Sequence, residues 1–422
     1  LLATAAVVSK LFGLWRERLF LEFFQADGSS DLIFAAFRIP DFFYFLLIAG
    51  TVSSIIIPRI NQAKNEVDKK IFLNSFLLFL GLGFGIFCLF GFLFPHIITP
   101  LFAGGFESEQ QLIISQLARY LFGSVFLLSF SSILIAYHQA HEKFLSTALA
   151  PIIYMASIAI VTHLGAEKVG IFIVGMSAIA GSVLHLLFRI FYTNWTNVQK
   201  ITWKKPAYLW KNLLTDFGYR FTSGAAFQIN QSIDVLIASF LIAGSLSAFS
   251  IGSSLGHVLL SVVGFSVASL FFPKLTKTQT DKLAQKKLVL KGVFIILALT
   301  IPFVLVSSFF ATPIINFLYQ PKPELLAMIT TVFIWTVISL PMACLNPILS
   351  KTFIANNNNK IPTITAVSAL IIATGIAAYL ALVVFEGTDA VIGLAIGNFL
   401  ANTLNAVFLG FFLWRYYQKK SQ

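Results

Sequence analysis

The sequence predicts an all-α polytopic membrane protein of about twelve transmembrane helices, arranged as two six-helix lobes. Three observations lead there. Apolar runs of roughly 20 residues, the length needed to cross a bilayer, recur throughout the 422 residues, of which 58% are hydrophobic and 11% charged. A soluble domain carries about 25% charged residues, so that class is excluded. Lysine and arginine gather in alternate connections, and the second half of the chain weakly repeats the first.

The expected spans are Leu2 to Phe24, Leu32 to Ile57, Ile71 to Leu101, Gln111 to Tyr137, Leu145 to Leu164 and Val169 to Tyr192, followed by Leu213 to Ala243, Leu246 to Phe272, Leu288 to Tyr319, Leu325 to Ser350, Ile361 to Phe385 and Ala390 to Tyr416. Several exceed the minimum, which implies tilt, kinks or extension beyond the bilayer. Pro40 in the second removes a backbone hydrogen bond and predicts a kink beside Arg38. The first span lacks a basic leader and a cleavage pattern, so it reads as a retained helix and not a signal peptide.

Short cytoplasmic loops collect Lys and Arg. With the amino terminus inside, the inner connections hold Arg59, Lys64, Lys69 and Lys70, then Lys143, Lys200 to Lys211, Lys274 to Lys287, Lys351, Lys360 and the tail from Arg415. The outer ones hold only Lys168 and Lys322 beside several acids. Both termini are therefore expected in the cytoplasm, and the net charge of +12 calls for anionic headgroups and no nucleic acid. Pro58-Arg59-Ile60 with Lys69-Lys70 returns as Pro273-Lys274-Leu275 with Lys286-Lys287, and Pro95-His96-Ile97-Ile98 as Pro313-Ile314-Ile315, at offsets of 215 to 218 residues. An even number of helices per half makes this a parallel pseudo-repeat. The lobes are expected at 1–192 and 213–422, with a cytoplasmic linker at 193–212. The Asn356 to Asn359 run reads as a solvated polar turn.

No GxxxxGK[ST] loop, HExxH pair or Cys-rich metal spacing occurs, so nucleotide and metal chemistry have no support. Cys88 and Cys344 lie in apolar segments of different halves and read as packing residues. Polar content concentrates instead between Ser9 and Pro58: Lys10, Arg16, Glu17, Arg18, Asp31, Arg38 and Asp41. A charge at bilayer depth is costly unless it faces a partner or water, which makes these functional candidates. On a helix Lys10 and Glu17 lie about 20° apart while Arg16 and Arg18 splay to either side. The arginines can also snorkel or pair with Glu17, and Arg38 can pair with Asp41 one turn away. Guanidinium groups bind phosphate oxygens in pairs, so a cationic pocket here suits a diphosphate headgroup.

The run Ser9-Lys10-Leu11-Phe12-Gly13-Leu14-Trp15-Arg16-Glu17, then Asp31, then Ala36-Phe37-Arg38-Ile39-Pro40, Gly50 and Pro58, resembles the opening of the MurJ (MviN) lipid II flippases of the multidrug/oligosaccharidyl-lipid/polysaccharide exporter superfamily. The resemblance implies a MATE/MurJ-like fold and a non-enzymatic transporter in the bacterial cytoplasmic membrane. It implies translocation of a polyprenyl-diphosphate saccharide, lipid II, for peptidoglycan synthesis by alternating access. It places Lys10, Arg16 and Asp31 in a central cavity and matches Arg38 to a basic family position; beside them, the residues themselves offer Glu17, Arg38 and His257 as further substrate-binding candidates. Asp234, an intramembrane carboxylate in a helix similar to the family's seventh, and Asn398 and Asn402 on one side of the last helix are ion-binding candidates for a coupling Na+ or H+; no other cofactor is expected, and the expected state is a monomer among membrane lipids.

The chain departs from the family at several points. Tyr44, Phe45 and Ala49 replace family arginines and an acid, and Gly252-Ser253-Ser254 stands where the family has Ala-Asp-Arg. His257, one turn beyond Ser254, can supply a positive or hydrogen-bonding group. Helix eleven offers only Thr363, Thr365, Ser368 and Thr374 where sodium-binding relatives use an acid or amide, and the chain stops short of the two last helices of many members. The alternatives are another exporter of the superfamily, for O-antigen-type oligosaccharides or cationic drugs, and a polyprenyl-phosphate membrane enzyme.

Overall fold

A computed structural model describes residues 2–25, 28–193, 228–257 and 260–418. The chain divides into two compact units, Leu1–Leu236 and Ile237–Gln422. Of the linker expected at 193–212, only Thr193 lies within the described residues, and the expected seventh span is described from 228 onward. All regular structure among the described residues is helical.

The first unit contains α1 (Leu2–Phe24), α2 (Ser29–Tyr44), a π-helical turn (Phe45–Ala49), α3 (Gly50–Gln62), α4 (Glu66–Leu93), α5 (Pro95–Ala103), α6 (Ser108–Ala140), α7 (Phe144–Val169) and α8 (Phe172–Tyr192). A helix at 228–238, α9, crosses the boundary. The second unit contains α10 (Ser245–Gly256), a π turn (Leu260–Gly264), α11 (Phe265–Lys277), α12 (Lys282–Phe309), α13 (Ala311–Tyr319), α14 (Pro323–Ala355), α15 (Lys360–Tyr379) with its π extension (Leu380–Val384), and α16 (Ala390–Gln418).

These lists run in parallel. α4 and α12 are each 28 residues, α5 and α13 each 9, α6 and α14 each 33. Gly28 and Gly244 open α2 and α10 with φ of 77° and 91°, a left-handed conformation that glycine adopts without a Cβ penalty. A π turn interrupts the following helix in both units. The irregularity therefore falls after Tyr44, not at Pro40, which α2 absorbs inside the helix. The long helices expected at 71–101 and 288–319 each break in two, at Phe94 and Phe310. Pro95 can begin α5 because the first turn needs no amide hydrogen there.

Eight described helices are individually long and apolar enough to cross a membrane: α4, α6, α7, α8, α12, α14, α15 and α16. α1 carries Lys10, Arg16, Glu17, Arg18 and Glu22, while π turns divide α2 from α3 and α10 from α11. α6 is the axis of the first unit, packing against α2, α3, α4, α5 and α8; α14 does the same for α10, α11, α12, α13 and α16 in the second.

Lipid is as apolar as leucine, so such helices hold together by close packing and not by exclusion from water. Gly393 and Gly397 of α16 accordingly meet Ala373, Ala377 and Ala381 of α15 and its extension, where a Cβ on either glycine would collide. Large apolar side chains such as Ile86 of α4 and Phe294 and Phe309 of α12 face outward, as a hydrocarbon solvent permits.

Candidate functional site

α1 turns Glu17, Leu19, Phe20 and Leu21 into the first unit, where it packs on α7. Arg16 borders this buried stripe. Its guanidinium carbon lies 5.5 Å from the centre of the Phe20 ring and 5.6 Å from that of Phe37 in α2, two rings stacked at 6.2 Å. Cation–π attraction therefore orients the group between α1 and α2. Its directional contacts are weak: Nη2 reaches Glu17 Oε1 at 3.5 Å, and Nη1 reaches the Met155 sulfur at 3.6 Å. Nε is buried without a partner. A guanidinium carries five N–H donors, so this one retains capacity for a further anionic acceptor. The Glu17 contact is an ion pair at the outer limit of hydrogen-bond length.

Arg38 differs. Its Nε donates to Ser232 Oγ (3.3 Å), Nη1 to Gln231 Oε1 (2.7 Å), and Nη2 to both the Gln228 carbonyl (2.8 Å) and Gln228 Oε1 (3.0 Å). The guanidinium thus ties α2 to the first turn and a half of α9. Among the described residues no ion pair joins it to Asp41. Two turns along α9 from the Gln228 backbone, Asp234 is buried and accepts from Asn230 Nδ2 at 3.1 Å.

The remaining expected residues are dispersed. Lys10 is half-buried on α1, two turns before Glu17. Asp31 is buried in the first turn of α2, about 10 Å along the axis from Arg38. In the second unit, His257 is half-buried at the end of α10, its amide donating to the Ser253 carbonyl at 3.0 Å. Gly252 lies tightly on α14, where a Cβ would come within 2.9 Å of Val332. Asn402 Nδ2 donates back to the Asn398 carbonyl at 3.0 Å, and Asn346 Nδ2 of α14 donates to the Asn402 carbonyl at 3.2 Å. Thr363 and Thr365 return their hydroxyls to carbonyls of their own chain segment, Asn359 and Pro362. No group of three or more His, Cys, Asp or Glu suited to a metal occurs among the described residues.

The asparagine run is more than a solvated turn. Asn356 donates to Gln285 Oε1 (3.1 Å) and the Thr352 carbonyl (2.8 Å) and accepts from the Tyr416 hydroxyl (3.2 Å). Gln285 is fully buried and also takes the Tyr417 hydroxyl at 3.2 Å. Asn357 adopts φ of 58°, and Asn358 Oδ1 caps α15 by accepting the Ile361 amide at 3.2 Å. This knot fastens α12, α14 and α16 at one end of the second unit.

Sequence reasoning missed a polar interior in the first unit. Ser182, His185 and Arg189 of α8 are buried on one face at helical spacing. His185 Nδ1 pairs with Ser131 Oγ (2.8 Å), while His138 bridges Ser146 (2.6 Å) and Thr193 (2.8 Å). The available signal was the His-x-x-x-Arg spacing within an otherwise apolar helix.

Comparison with known proteins follows the same lines. A family model described as lipid II flippase MurJ matches residues 21–422. Curated relatives called "Probable lipid II flippase MurJ" include one from Rickettsia prowazekii, 24% identical over 96% of this chain and 81% of its own length, and one from Buchnera aphidicola, 26% identical over 74% of this chain. The second match spans 63% of that relative, less than two thirds of it. Among solved structures, a lipid II flippase MurJ in an inward closed conformation matches with a TM-score of 0.83 and 23% identity, over 98% of this chain and 87% of its own. An inward-facing multidrug resistance MATE family transporter of the MOP superfamily gives 0.77 at 16% identity, over 98% and 96%. Both establish the fold. With the family match extending over nearly the whole sequence, the chain belongs to the MurJ family of lipid II flippases.

Proposed function

We propose that this multi-pass membrane protein is a transporter and not an enzyme, and that it flips a polyprenyl-diphosphate-linked saccharide, lipid II, across the bacterial cytoplasmic membrane by alternating access. The observation that carries the reading is Arg16. Its guanidinium is fixed over two phenyl rings yet keeps a buried Nε without a partner and only long contacts elsewhere. Such a group is oriented in advance and retains donors for a phosphate oxygen. Lys10, on the same helix, adds positive charge, and Glu17 limits the net charge that an empty site must hold.

Arg38, with its donors engaged by α9, acts as a positioning residue for that helix. Asp234 is the candidate for a coupling Na+ or H+, since it is a buried carboxylate that accepts from the Asn230 amide of its own helix. Asn398 and Asn402 are weaker candidates, because the Asn402 amide is turned onto its own helix. The Lys and Arg of alternate connections support a cytoplasmic position for both termini, and the proposed active species is a monomer.

Complementation of a strain depleted of its lipid II flippase tests the assignment. Growth with the wild-type chain and loss of growth with Arg16→Ala are expected. Failure of the wild type, at normal membrane levels, overturns the substrate. Rescue by Arg16→Ala would leave the flippase assignment standing and remove Arg16 from the diphosphate site.

A further inference from the structure

Arg189 lies outside everything assigned above. It is 0% exposed, and its Nε, Nη1 and Nη2 are all buried without a hydrogen-bond partner. Its backbone is ordinary: the carbonyl accepts the Thr193 amide at 3.0 Å and the Thr193 hydroxyl at 2.8 Å. No carboxylate pairs with the guanidinium among the described residues. Groups within electrostatic reach are uncharged hydrogen-bonding ones, the Tyr44 hydroxyl and the His138 and His185 imidazoles.

Those neighbours have settled partners of their own. Tyr44 pairs with Ser132 at 2.7 Å, and His138 uses both ring nitrogens on Ser146 and Thr193. His185, one turn before Arg189 on the same face of α8, engages only Nδ1, through Ser131. If the Ser131 hydroxyl donates to Nδ1, the Nε2 of that ring carries a hydrogen and is a second donor beside the guanidinium. Donors are therefore concentrated at this point, and among the described residues no acceptor pairs with the guanidinium. A buried cation without a counter-charge is among the most unfavourable arrangements in a low-dielectric interior. An arginine cannot relieve it by losing its proton. Complete burial also excludes a lipid headgroup or a nucleotide on grounds of size and access.

We infer that the interior of the first unit, between α8, α6 and the end of α2, binds a small inorganic anion of halide size on Arg189 and His185. The site uses Arg189 and His185 and not Arg16, and does not depend on what the protein transports. Its role is to neutralise the lobe interior, so that the α6–α8 packing is more stable with the anion bound.

The test is thermal unfolding of the purified full chain in sodium chloride or bromide against sodium gluconate at equal ionic strength. The wild type should show a saturable rise of about 2 °C or more in either halide, and Arg189→Gln should lose it. An equal response in the two proteins, or none in the wild type, overturns the proposal and leaves water as the solvent of the guanidinium. Should Arg189→Gln fail to fold, bromide anomalous scattering from wild-type crystals decides. A peak beside the Arg189 guanidinium supports the site, and its absence there removes it.

Discussion

The two units share one plan of helices and differ in what they put inside it. Each has a left-handed glycine at the start of a helix, a π turn after that helix, and a 33-residue axial helix against which its neighbours pack. Among the described residues, the first unit buries Glu17, Asp31, Asp234 and Arg189 and half-buries Arg16 and Arg38, whereas the polar interior of the second is built from amides, hydroxyls and glycines. Gly252, in the stretch that stands where the family has an Ala-Asp-Arg motif, is pressed against Val332, so a larger side chain there would have to displace α14. One lobe has specialised in charge and the other in packing.

That contrast predicts unequal consequences for matched substitutions. Arg16→Ala should have the largest effect on activity, about 2 to 3 kcal/mol or ~30- to 150-fold in transport of a lipid-linked diphosphate into vesicles, with little change in unfolding temperature. A comparable fall from Ser254→Ala would break the comparison by giving the second lobe an equal share.

Gly397→Val should instead leave the charged lobe intact and cost about 1 to 3 kcal/mol of stability by forcing α15 and α16 apart, read as a lower unfolding temperature. Arg38→Lys should cost about 1 to 2 kcal/mol. An ammonium cannot span Gln228, Gln231 and Ser232 as the planar fork does. Faster amide exchange confined to 228–238 is the expected signature, and uniform exchange would sink it. Smallest is Asn356→Ala, about 1 kcal/mol, seen as accelerated exchange at the joined ends of α12, α14 and α16 while the His138 knot of the first unit stays protected.

Much of the architecture was legible because bilayer length and loop charge are local properties, and Pro58-Arg59 with its echo at Pro273-Lys274 announced the duplication. The π turns were not, because a one-residue widening leaves no mark on hydropathy, and Pro40 drew attention to the wrong turn. Asn356 read as solvated because its partner Gln285 lies 71 residues away. Of the site, α1 and its arginine were visible from the cost of charge in lipid. The engagement of Arg38 by α9 and the burial of Arg189 were not, since both depend on helices far off in sequence.

The paired π turns have a mechanical consequence. A π turn interrupts the regular α-helical hydrogen-bond ladder and is frequent at functional sites, and here it sits at the same register in each half, ahead of Pro58 in one and Pro273 in the other. Each unit therefore carries, within its own fold, a place where the basic end of α3 or α11 can turn against the rest of that unit.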